Sequence, residues 1–378
     1  MNIGFDAKRA YFNYSGLGNY SRTLVKSLIQ YFPENNYSLF TPRKTTTEFS
    51  DFIARQRNVA VVEPTKFLTK NFSSYWRSFL IPKEFEKNNL NIFHGLSNEL
   101  PLNTGQSGVK TVVTIHDLIF IRYPEFYAAL DRKIYSIKFK SACEESDIII
   151  AVSEQTKRDI VEFFRVEEKK IKVVYQSCNP IFYNSYSNEE LLSVKKKHNL
   201  PNEYLLYVGT IESRKNLLTI IKAMTLLKTA NNVPLVVVGK KQKDYFRQIE
   251  NYISENKLEQ KIIFLEQVST DDLPCIYRQS QLFIYPSIFE GFGIPIIEAL
   301  ISKVPVITSN GSCFPEAGGP NSSYISAMDA QGLANEIDKI LNSSELRNTM
   351  ISKGFEYADR FHPKKFAENT MEVYKSLM

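Results

Sequence analysis

Short apolar runs rich in β-branched residues recur along this chain with amphipathic helical stretches between them, and halfway along the pattern begins again. Strands that alternate with helices form parallel sheets whose two faces are covered by those helices. In the first half the strands read as Ile3–Phe5, Tyr37–Phe40, Val59–Val62, Ile92–His94, Thr111–Ile115, Ile148–Val152 and Ile171–Val174. Helices at Leu17–Tyr31, Arg132–Glu145 and Glu154–Phe164 lie among them. The second half gives strands at Tyr204–Val208, Leu235–Val238, Lys261–Leu265, Leu282–Tyr285, Val304–Thr308 and Ser323–Ile325. Its helices are expected at Asn216–Lys228, Tyr245–Glu255, Asp271–Arg278 and Asp329–Leu341. The pattern predicts an α/β protein of two successive doubly wound, Rossmann-like domains. Each has its ligand edge at the carboxyl ends of its strands, and the two edges face across a cleft. Asn179–Asn188, with Pro180, several aromatic residues and a turn-like Asn-Ser-Tyr-Ser-Asn, marks the boundary. This sets an N-terminal domain at 1–185 and a C-terminal one at 186–360. A last amphipathic helix within 361–378, after the break at His362-Pro363, is expected to pack back on the first domain.

Composition narrows the class. The length of 378 residues suits about two domains, and 43% hydrophobic with 23% charged residues suits large cores. No apolar run approaches the roughly 18–20 residues of a membrane-spanning helix. The N-terminal MNIGFDAKRAYF reads as a first strand and lacks the basic-then-apolar layout of a secretion signal. Cys143, Cys178, Cys275 and Cys313 lie far apart without a CxxC pair, which argues against a zinc site or disulfide set and for a reducing, cytoplasmic compartment. The net charge of +6 is uneven: residues 1–185 hold 25 Lys+Arg against 19 Asp+Glu, while residues 186–378 hold 22 of each. The first half either faces an anionic partner, such as a membrane surface or a lipid-linked phosphate, or carries an ordinary solubilising charge. It has neither basic stripes nor a binding module for nucleic acid, which is not expected as a partner. The stretch Phe67–Phe85 holds the only tryptophan, Trp76, with Phe72, Tyr75, Phe79 and Leu80 at helical spacing. It reads as a helix packing on the sheet or as one lying on a membrane surface.

The densest chemistry lies at Phe289–Glu298, FEGFGIPIIE, just after the strand Leu282–Tyr285 and a Pro-Ser turn. Gly291 and Gly293 let the backbone approach a ligand, and Pro295 suits the first turn of a helix. A strand, a glycine turn and a helix start together present free amides and the positive end of a helix dipole to an anion. Glu290 and Glu298 flank that place. Carboxylates repel phosphate but accept hydrogen bonds from hydroxyls, so a ligand with both phosphate and polyol, a nucleotide sugar, is expected. Arg214 and Lys215 follow the strand ending at Val208; cations there stabilise a leaving pyrophosphate more in the transition state than in the ground state. Gly16-Leu17-Gly18 stands before the first helix but lacks the third glycine of a nicotinamide-binding fingerprint. His116 and Asp117 end one strand and His94 ends another, where side chains reach the ligand edge. No Asp-x-Asp stands at a strand end, and Asp271-Asp272 reads as a helix start, so no divalent metal is expected.

Six segments, in order, resemble the retaining, nucleotide-sugar-dependent glycosyltransferases of family four, which have the GT-B fold. They are FDAKRAYFNYSGLGNYSR, VVTIHDLIF at Val112–Phe120, SDIIIAVSEQTKRDI at Ser146–Ile160, YLLYVGTIESRKNL at Tyr204–Leu217, FEGFGIPIIEAL at Phe289–Leu300 and VITSNGSCFPEAGG at Val306–Gly319. The HDL and RKN motifs look most like bacterial mannosyltransferases of polysaccharide assembly. The resemblance implies that Glu290 touches the hydroxyls of the transferred sugar and Glu298 the ribose, while the amides of Phe292, Gly293 and Ile294 meet phosphate and sugar oxygens. It places Gly16 and Gly18 against the donor phosphates, Ser312 near the nucleotide, and His116 beside the reaction centre. Asp117 holds its loop or meets the acceptor, and His94 either lines the acceptor side or is a satisfied core histidine. In the commoner form of the family an arginine stands several residues before the lysine; here Thr210 occupies that place, which makes Lys215 the firmer match and leaves Arg214 open to a surface role. Tyr175–Asn179 replaces the family's usual Asn-Gly and is assigned no role.

The implied reaction is retaining, metal-free transfer of a hexosyl group to a saccharide, with a lipid-linked saccharide as the expected acceptor, in capsule, O-antigen or exopolysaccharide synthesis. GDP-mannose leads as donor on resemblance, with a UDP-sugar or deoxysugar as the alternative. Rival readings are a sugar phosphorylase or nucleotide-sugar epimerase on the same fold, and a non-catalytic nucleotide-sugar binding protein. The expected location is the cytoplasm, with peripheral contact to the inner face of an anionic membrane.

Overall fold

The computed structural model describes residues 1–64, 73–228 and 233–378. The chain divides into two compact units, Met1–Ser177 with Phe361–Met378, and Cys178–Arg360. In the first, strands Asn2–Asp6 (β1), Asn36–Phe40 (β2), Val59–Val62 (β3), Ile92–Gly95 (β4), Lys110–Ile115 (β5), Ile148–Ala151 (β6) and Ile171–Val173 (β7) form one sheet in the order β3-β2-β1-β4-β5-β6-β7. In the second, Leu205–Val208 (β8), Leu235–Val238 (β9), Ile262–Leu265 (β10), Leu282–Tyr285 (β11), Val306–Ser309 (β12) and Ser323–Ile325 (β13) run in the order β10-β9-β8-β11-β12-β13. Every pairing is parallel. β4, β6, β9, β11 and β12 are buried at every position. Helices cover both faces, which is why these strands read as unbroken apolar runs and not as alternating ones. In each sheet the winding reverses once, between β1 and β4 and between β8 and β11, and such a reversal opens a crevice at the carboxyl ends of the strands.

The units part eight residues before the boundary at 185, and the reason is local. Pro180–Tyr183 forms a turn of 3-10 helix whose Phe182 and Asn184 carbonyls accept from the Arg278 guanidinium at 3.0 and 2.8 Å. The Phe182 ring also meets Tyr277 edge-on at 5.5 Å. The aromatic linker is therefore the first piece of the second unit. Helix Pro363–Lys375 belongs to the first unit: Phe366 lies against Tyr20 with ring centroids 5.4 Å apart, and Tyr374 Oη is 2.6 Å from His94 Nδ1. Burying a phenylalanine so completely contributes roughly 2 kcal/mol, enough to hold a terminal helix that propensity alone would leave marginal.

Several helices begin with side-chain caps. Ser153 accepts from the Thr156 amide at 3.0 Å, and Ser187 with Glu190 forms a capping box. Two local details differ from the sequence reading. A short helix, Lys8–Phe12, precedes Gly16–Tyr31, so Gly16 and Gly18 lie inside a helical first turn and not in an open loop. Phe67–Phe72 falls outside the described residues; beyond it, Ser73–Glu84 winds as successive short α, π and 3-10 turns instead of one regular helix. There Trp76 joins a core cluster with Phe40, Ile81, Phe85, Leu90 and Phe93, whereas Tyr75 and Phe79 point to solvent. Among the described residues no helix is long and apolar enough to cross a membrane.

Candidate active site

In the second unit the chain reversal between β8 and β11 brings two connections together. The β8 connection forms a 3-10 turn, Ser213–Lys215; the β11 connection carries Pro286 to Gly293 and leads into helix Ile294–Ile301 with Pro295 in its first turn. They are stitched by backbone and side chain: the Ile288 amide donates to the Arg214 carbonyl at 2.8 Å, and Asn216 Nδ2 donates to the Pro286 carbonyl at 3.1 Å. The Asn216 backbone is left-handed, with φ of 56°, which turns this amide into the interior.

Glu290 sits at the centre. Its Oε1 accepts from Tyr285 Oη and Ser287 Oγ, each at 2.9 Å, and faces Arg214 Nη1 at 2.8 Å and Lys215 Nζ at 3.0 Å. All four contacts fall on one oxygen; none is made to Oε2. Burial opposes the charge, yet Arg214 and Lys215 hold the carboxyl at about 2. Arg214 is fixed on three sides, since it also donates to Glu212 Oε1 at 2.7 Å and to the Phe289 carbonyl at 2.6 Å. It is thus a half-buried member of the cluster and not a freely solvated surface residue. Lys215 Nζ donates to Tyr285 Oη at 2.6 Å and stands 5.2 Å from the centre of that ring. With Tyr285 and Glu290 as its partners, the ammonium keeps one N–H without a hydrogen-bond partner among the described residues.

Glu298, one helix turn into Ile294–Ile301, is half-buried and accepts from Tyr277 Oη at 3.0 Å. Burial raises its carboxyl to about 7 against the opposing pull of Tyr277 and Lys215. Two glutamates eight residues apart therefore differ in charge at neutral pH: one is ionised, the other balanced between forms. The glycine turn is imposed by geometry at Gly293, whose φ of 103° excludes ordinary side chains, while Gly291, Phe292 and Ile294 continue the same turn into the helix. Ser312 lies under this turn. Its Oγ donates to the Glu290 carbonyl at 3.0 Å and accepts from the Glu290 amide at 3.3 Å, so the hydroxyl positions the Glu290 backbone.

The first-unit residues divide. The His116 ring is buried, with Nε2 donating to the Leu96 carbonyl at 2.9 Å and Tyr20 edge-on at 4.5 Å. This leaves Nδ1 as the acceptor nitrogen, and burial lowers the imidazole to about 4, so it is neutral at pH 7. Asp117 Oδ1 accepts from the Ile119 amide at 3.1 Å and shapes the loop after β5. His94 is not an acceptor-side group: it is fully buried, Nδ1 meets Tyr374 Oη and Nε2 meets Thr114 Oγ1 at 2.8 Å. Both nitrogens serve to tie the terminal helix to the core. Gly18 answers to packing, since a Cβ there would stand 1.7 Å from the Asn13 carbonyl oxygen, whereas Gly16 has open space. Among the described residues no group of His, Cys, Asp and Glu is gathered closely enough to hold a metal ion.

Sequence reasoning passed over Tyr285, Ser287, Glu212 and Tyr277. Tyr285 carries a signal: a tyrosine at the last position of a buried apolar strand must find a partner for its hydroxyl. Ser287 and Glu212 act on residues two or three positions away, Glu290 and Arg214, but a serine or glutamate at such spacing is too common to signal it, and Tyr277 reaches Glu298 only because two helices pack together.

Comparison with known proteins agrees with this architecture. A family profile described as "Glycosyl transferases group 1" matches residues 188–357, and one described as "Glycosyltransferase Family 4" matches residues 14–180. The O-antigen chain mannosyltransferase B of Escherichia coli is 30% identical over 76% of this chain and 74% of its own length. The serotype-specific mannosyltransferase WbdA of Escherichia coli is 26% identical over 76% of this chain, which spans only 36% of that longer protein. Among solved structures, Anabaena HepE in complex with UDP and glucose superimposes with a TM-score of 0.74 at 18% identity, covering 100% of both chains.

Proposed function

Since the chain belongs to the glycosyltransferases of group 1 and family 4, with their GT-B fold, we propose that it transfers a mannosyl group from GDP-mannose to a lipid-linked saccharide with retention of anomeric configuration. The observation that carries this reading is the uneven use of Glu290 and Lys215. Oε1 is saturated by four neighbours while Oε2 takes none of those contacts, and the ammonium keeps one N–H beside it. Oε2 accepts from the hexose hydroxyls, and that N–H meets the β-phosphate. Glu298 accepts from the ribose hydroxyls. His116, neutral, offers Nδ1 to a sugar hydroxyl and adds no charge to the reaction centre.

As the glycosidic bond stretches, the anomeric carbon gains positive charge and the leaving pyrophosphate gains negative charge. Lys215 stabilises the latter, and Arg214 keeps the Glu290 carboxylate ionised and aimed. The acceptor hydroxyl approaches on the face the pyrophosphate leaves, and the β-phosphate oxygen takes its proton; no side chain is covalently modified. The activity needs no divalent metal in this scheme, so chelation with EDTA leaves turnover intact. The membrane-side location, at the inner face of the plasma membrane, follows from the lipid-linked acceptor.

The test is a panel of nucleoside diphosphates and their sugars read by thermal stabilisation, followed by product formation with and without acceptor. GDP and GDP-mannose are expected to stabilise the protein and Lys215→Ala to abolish the effect. Stabilisation by UDP-sugars alone replaces the donor; sugar product without acceptor replaces transfer by isomerisation.

A further inference from the structure

Helix Ala129–Glu145 follows the loop that His116 and Asp117 begin, so its first turns stand at the carboxyl edge of the first sheet. Its inner face, with Phe139, Ala142 and Cys143, packs in the core over β5 and β6. Its outer face carries Leu130, Ile134 and Ile137, which are 69%, 41% and 63% exposed. Steps of four and three residues put these three on one stripe. Branched aliphatics lined up in water are a cost that a merely solvated helix avoids with Lys and Glu. Lysines border the stripe: Lys133 has no salt-bridge partner among the described residues, and Lys138 and Lys140 follow on the next turns.

A second apolar patch adjoins it. Lys138 and Arg77 both pair with Glu99, at 3.3 and 3.1 Å, so Glu99 ties this helix to the segment Ser73–Glu84. There Tyr75 and Phe79 lie ring against ring at 5.1 Å, 54% and 44% exposed. Arg77 also binds Asp6, the last residue of β1, at 2.7 Å, which fixes this segment at the same carboxyl edge. Aliphatics, an aromatic pair and long basic side chains thus meet on one rim of the unit that carries His116.

We propose that this rim, the Leu130–Ile134–Ile137 stripe with Tyr75 and Phe79, docks the first unit on an anionic lipid bilayer. The proposal rests on the reading that the acceptor is lipid-linked and names the surface that meets the lipid. Charge decides for a bilayer over a protein partner. The basic excess of the chain lies in residues 1–185, and lysines around an apolar stripe keep their ammonium groups in the headgroup layer while their stems lie along the hydrocarbon. Tyrosine suits the same depth, with an apolar ring and a hydroxyl that stays wet. Docking there brings the bilayer to the edge where His116 stands.

Co-sedimentation with vesicles of phosphatidylglycerol and phosphatidylcholine, against phosphatidylcholine alone, tests this in the full chain. The parent is expected to bind the anionic vesicles, to lose affinity as salt rises, and to ignore neutral ones. Leu130→Ser/Ile134→Ser/Ile137→Ser should weaken binding by at least about tenfold, since each aliphatic loses its burial in the bilayer. Lys133→Glu should weaken it roughly tenfold through two units of charge. Both variants keep thermal stabilisation by nucleoside diphosphates and transfer to a water-soluble acceptor, because they alter only surface residues. Parent-like vesicle binding by the triple variant overturns the proposal, and so does equal binding to neutral vesicles. A parent that elutes as a dimer and a triple variant that elutes as a monomer overturn it in favour of self-association. Loss of transfer to every acceptor by the parent itself would sink the activity reading, not the docking surface.

Discussion

Replacing Glu290 by glutamine removes one charge from a cluster in which two half-buried cations depend on it. The folded protein holds this carboxyl at about 2, against 4.5 for an unperturbed glutamate. The shift is downward, so the stabilisation it represents is complete above pH 4.5 and drains away only as pH falls through the folded value. At 1.36 kcal/mol per unit, a displacement of this size corresponds to about 3 kcal/mol at neutral pH, to order of magnitude. Glutamine keeps the shape and its carbonyl oxygen still accepts hydrogen bonds, but among the described residues it leaves Arg214 with Glu212 as its only paired carboxylate and Lys215 with none. For a domain the size of Cys178–Arg360, about 3 kcal/mol lowers Tm by roughly 6–12 °C.

Affinity should move the other way. In the resting protein the Glu290 carboxylate neutralises Lys215 and repels an incoming pyrophosphate; in Glu290→Gln the cations stand unneutralised and attract the anion more strongly. Titration calorimetry with a nucleoside diphosphate at pH 7.5 should give a Kd that is unchanged or tighter. Turnover should fall at least about a hundredfold, the scale of losing one preorganised charge at a reaction centre. High phosphate should recover much of the lost Tm, because an anion refills the place of the carboxylate. Unchanged stability together with tenfold weaker nucleotide binding would refute the reasoning: Glu290 would then serve the phosphate site as a scaffold and not as an internal counter-ion.

Three further outcomes follow from the same geometry. Tyr285→Phe strands one N–H of Lys215 and removes one donor from Glu290, which should lower kcat by about tenfold to a hundredfold with little change in KM, measured by steady-state kinetics. Glu298 titrates near neutrality, so if its carboxylate accepts ribose hydroxyls, nucleoside diphosphate affinity should rise as pH increases through about 7 and lose this dependence in Glu298→Gln. Because that carboxyl is raised from 4.5, its contribution to apo stability is present below 4.5 and declines up to about pH 7; Glu298→Gln should therefore gain Tm at pH 8 relative to pH 5. His94 and His116 are held neutral, at about 3 and about 4, whereas the unfolded chain protonates them near 6.5. Stability should thus fall below pH 6.5 by up to about 1.4 kcal/mol per pH unit for each, seen in urea unfolding, and His94→Gln should remove about half that slope.

The strands were legible because of how they are buried. The thirteen strands of the described residues coincide with the apolar runs read from the sequence, most plainly for those covered on both faces, which have no polar positions to blur the signal; edge strands such as Val59–Val62 and Ile171–Val173 are partly exposed yet keep β-branched residues. Helix Lys8–Phe12 was not legible: at five residues it is too short to show a period, and it exists because Gly18 lets its end come against the next helix. The exposed stripe of Leu130, Ile134 and Ile137 was not singled out either, because only the position of Phe139 and Cys143 shows that the core lies on the other side of the helix.

The candidate site divides along the same line. Glu290, Glu298, Lys215 and the glycine turn were visible because a strand, a turn and a helix start are consecutive in the chain, so spacing carries their geometry. By position alone His94 and His116 look alike, each a histidine at a strand end, and only the family resemblance separated them; Tyr374, 280 residues away, is what makes His94 structural. Arg214 was in doubt for a related reason. Its place depends on β8 lying beside β11, which puts Phe289 and Glu290 within reach, and strand order is not written in any local pattern. A residue whose role is set by its chain neighbours can be found from sequence, whereas one set by the neighbouring strand needs the sheet. The resting ion pair of Glu290 with Arg214 and Lys215 belongs to the second kind, and it implies a site whose cations are largely neutralised before the donor arrives and which offers the pyrophosphate the one N–H of Lys215 that the carboxylate and Tyr285 leave open.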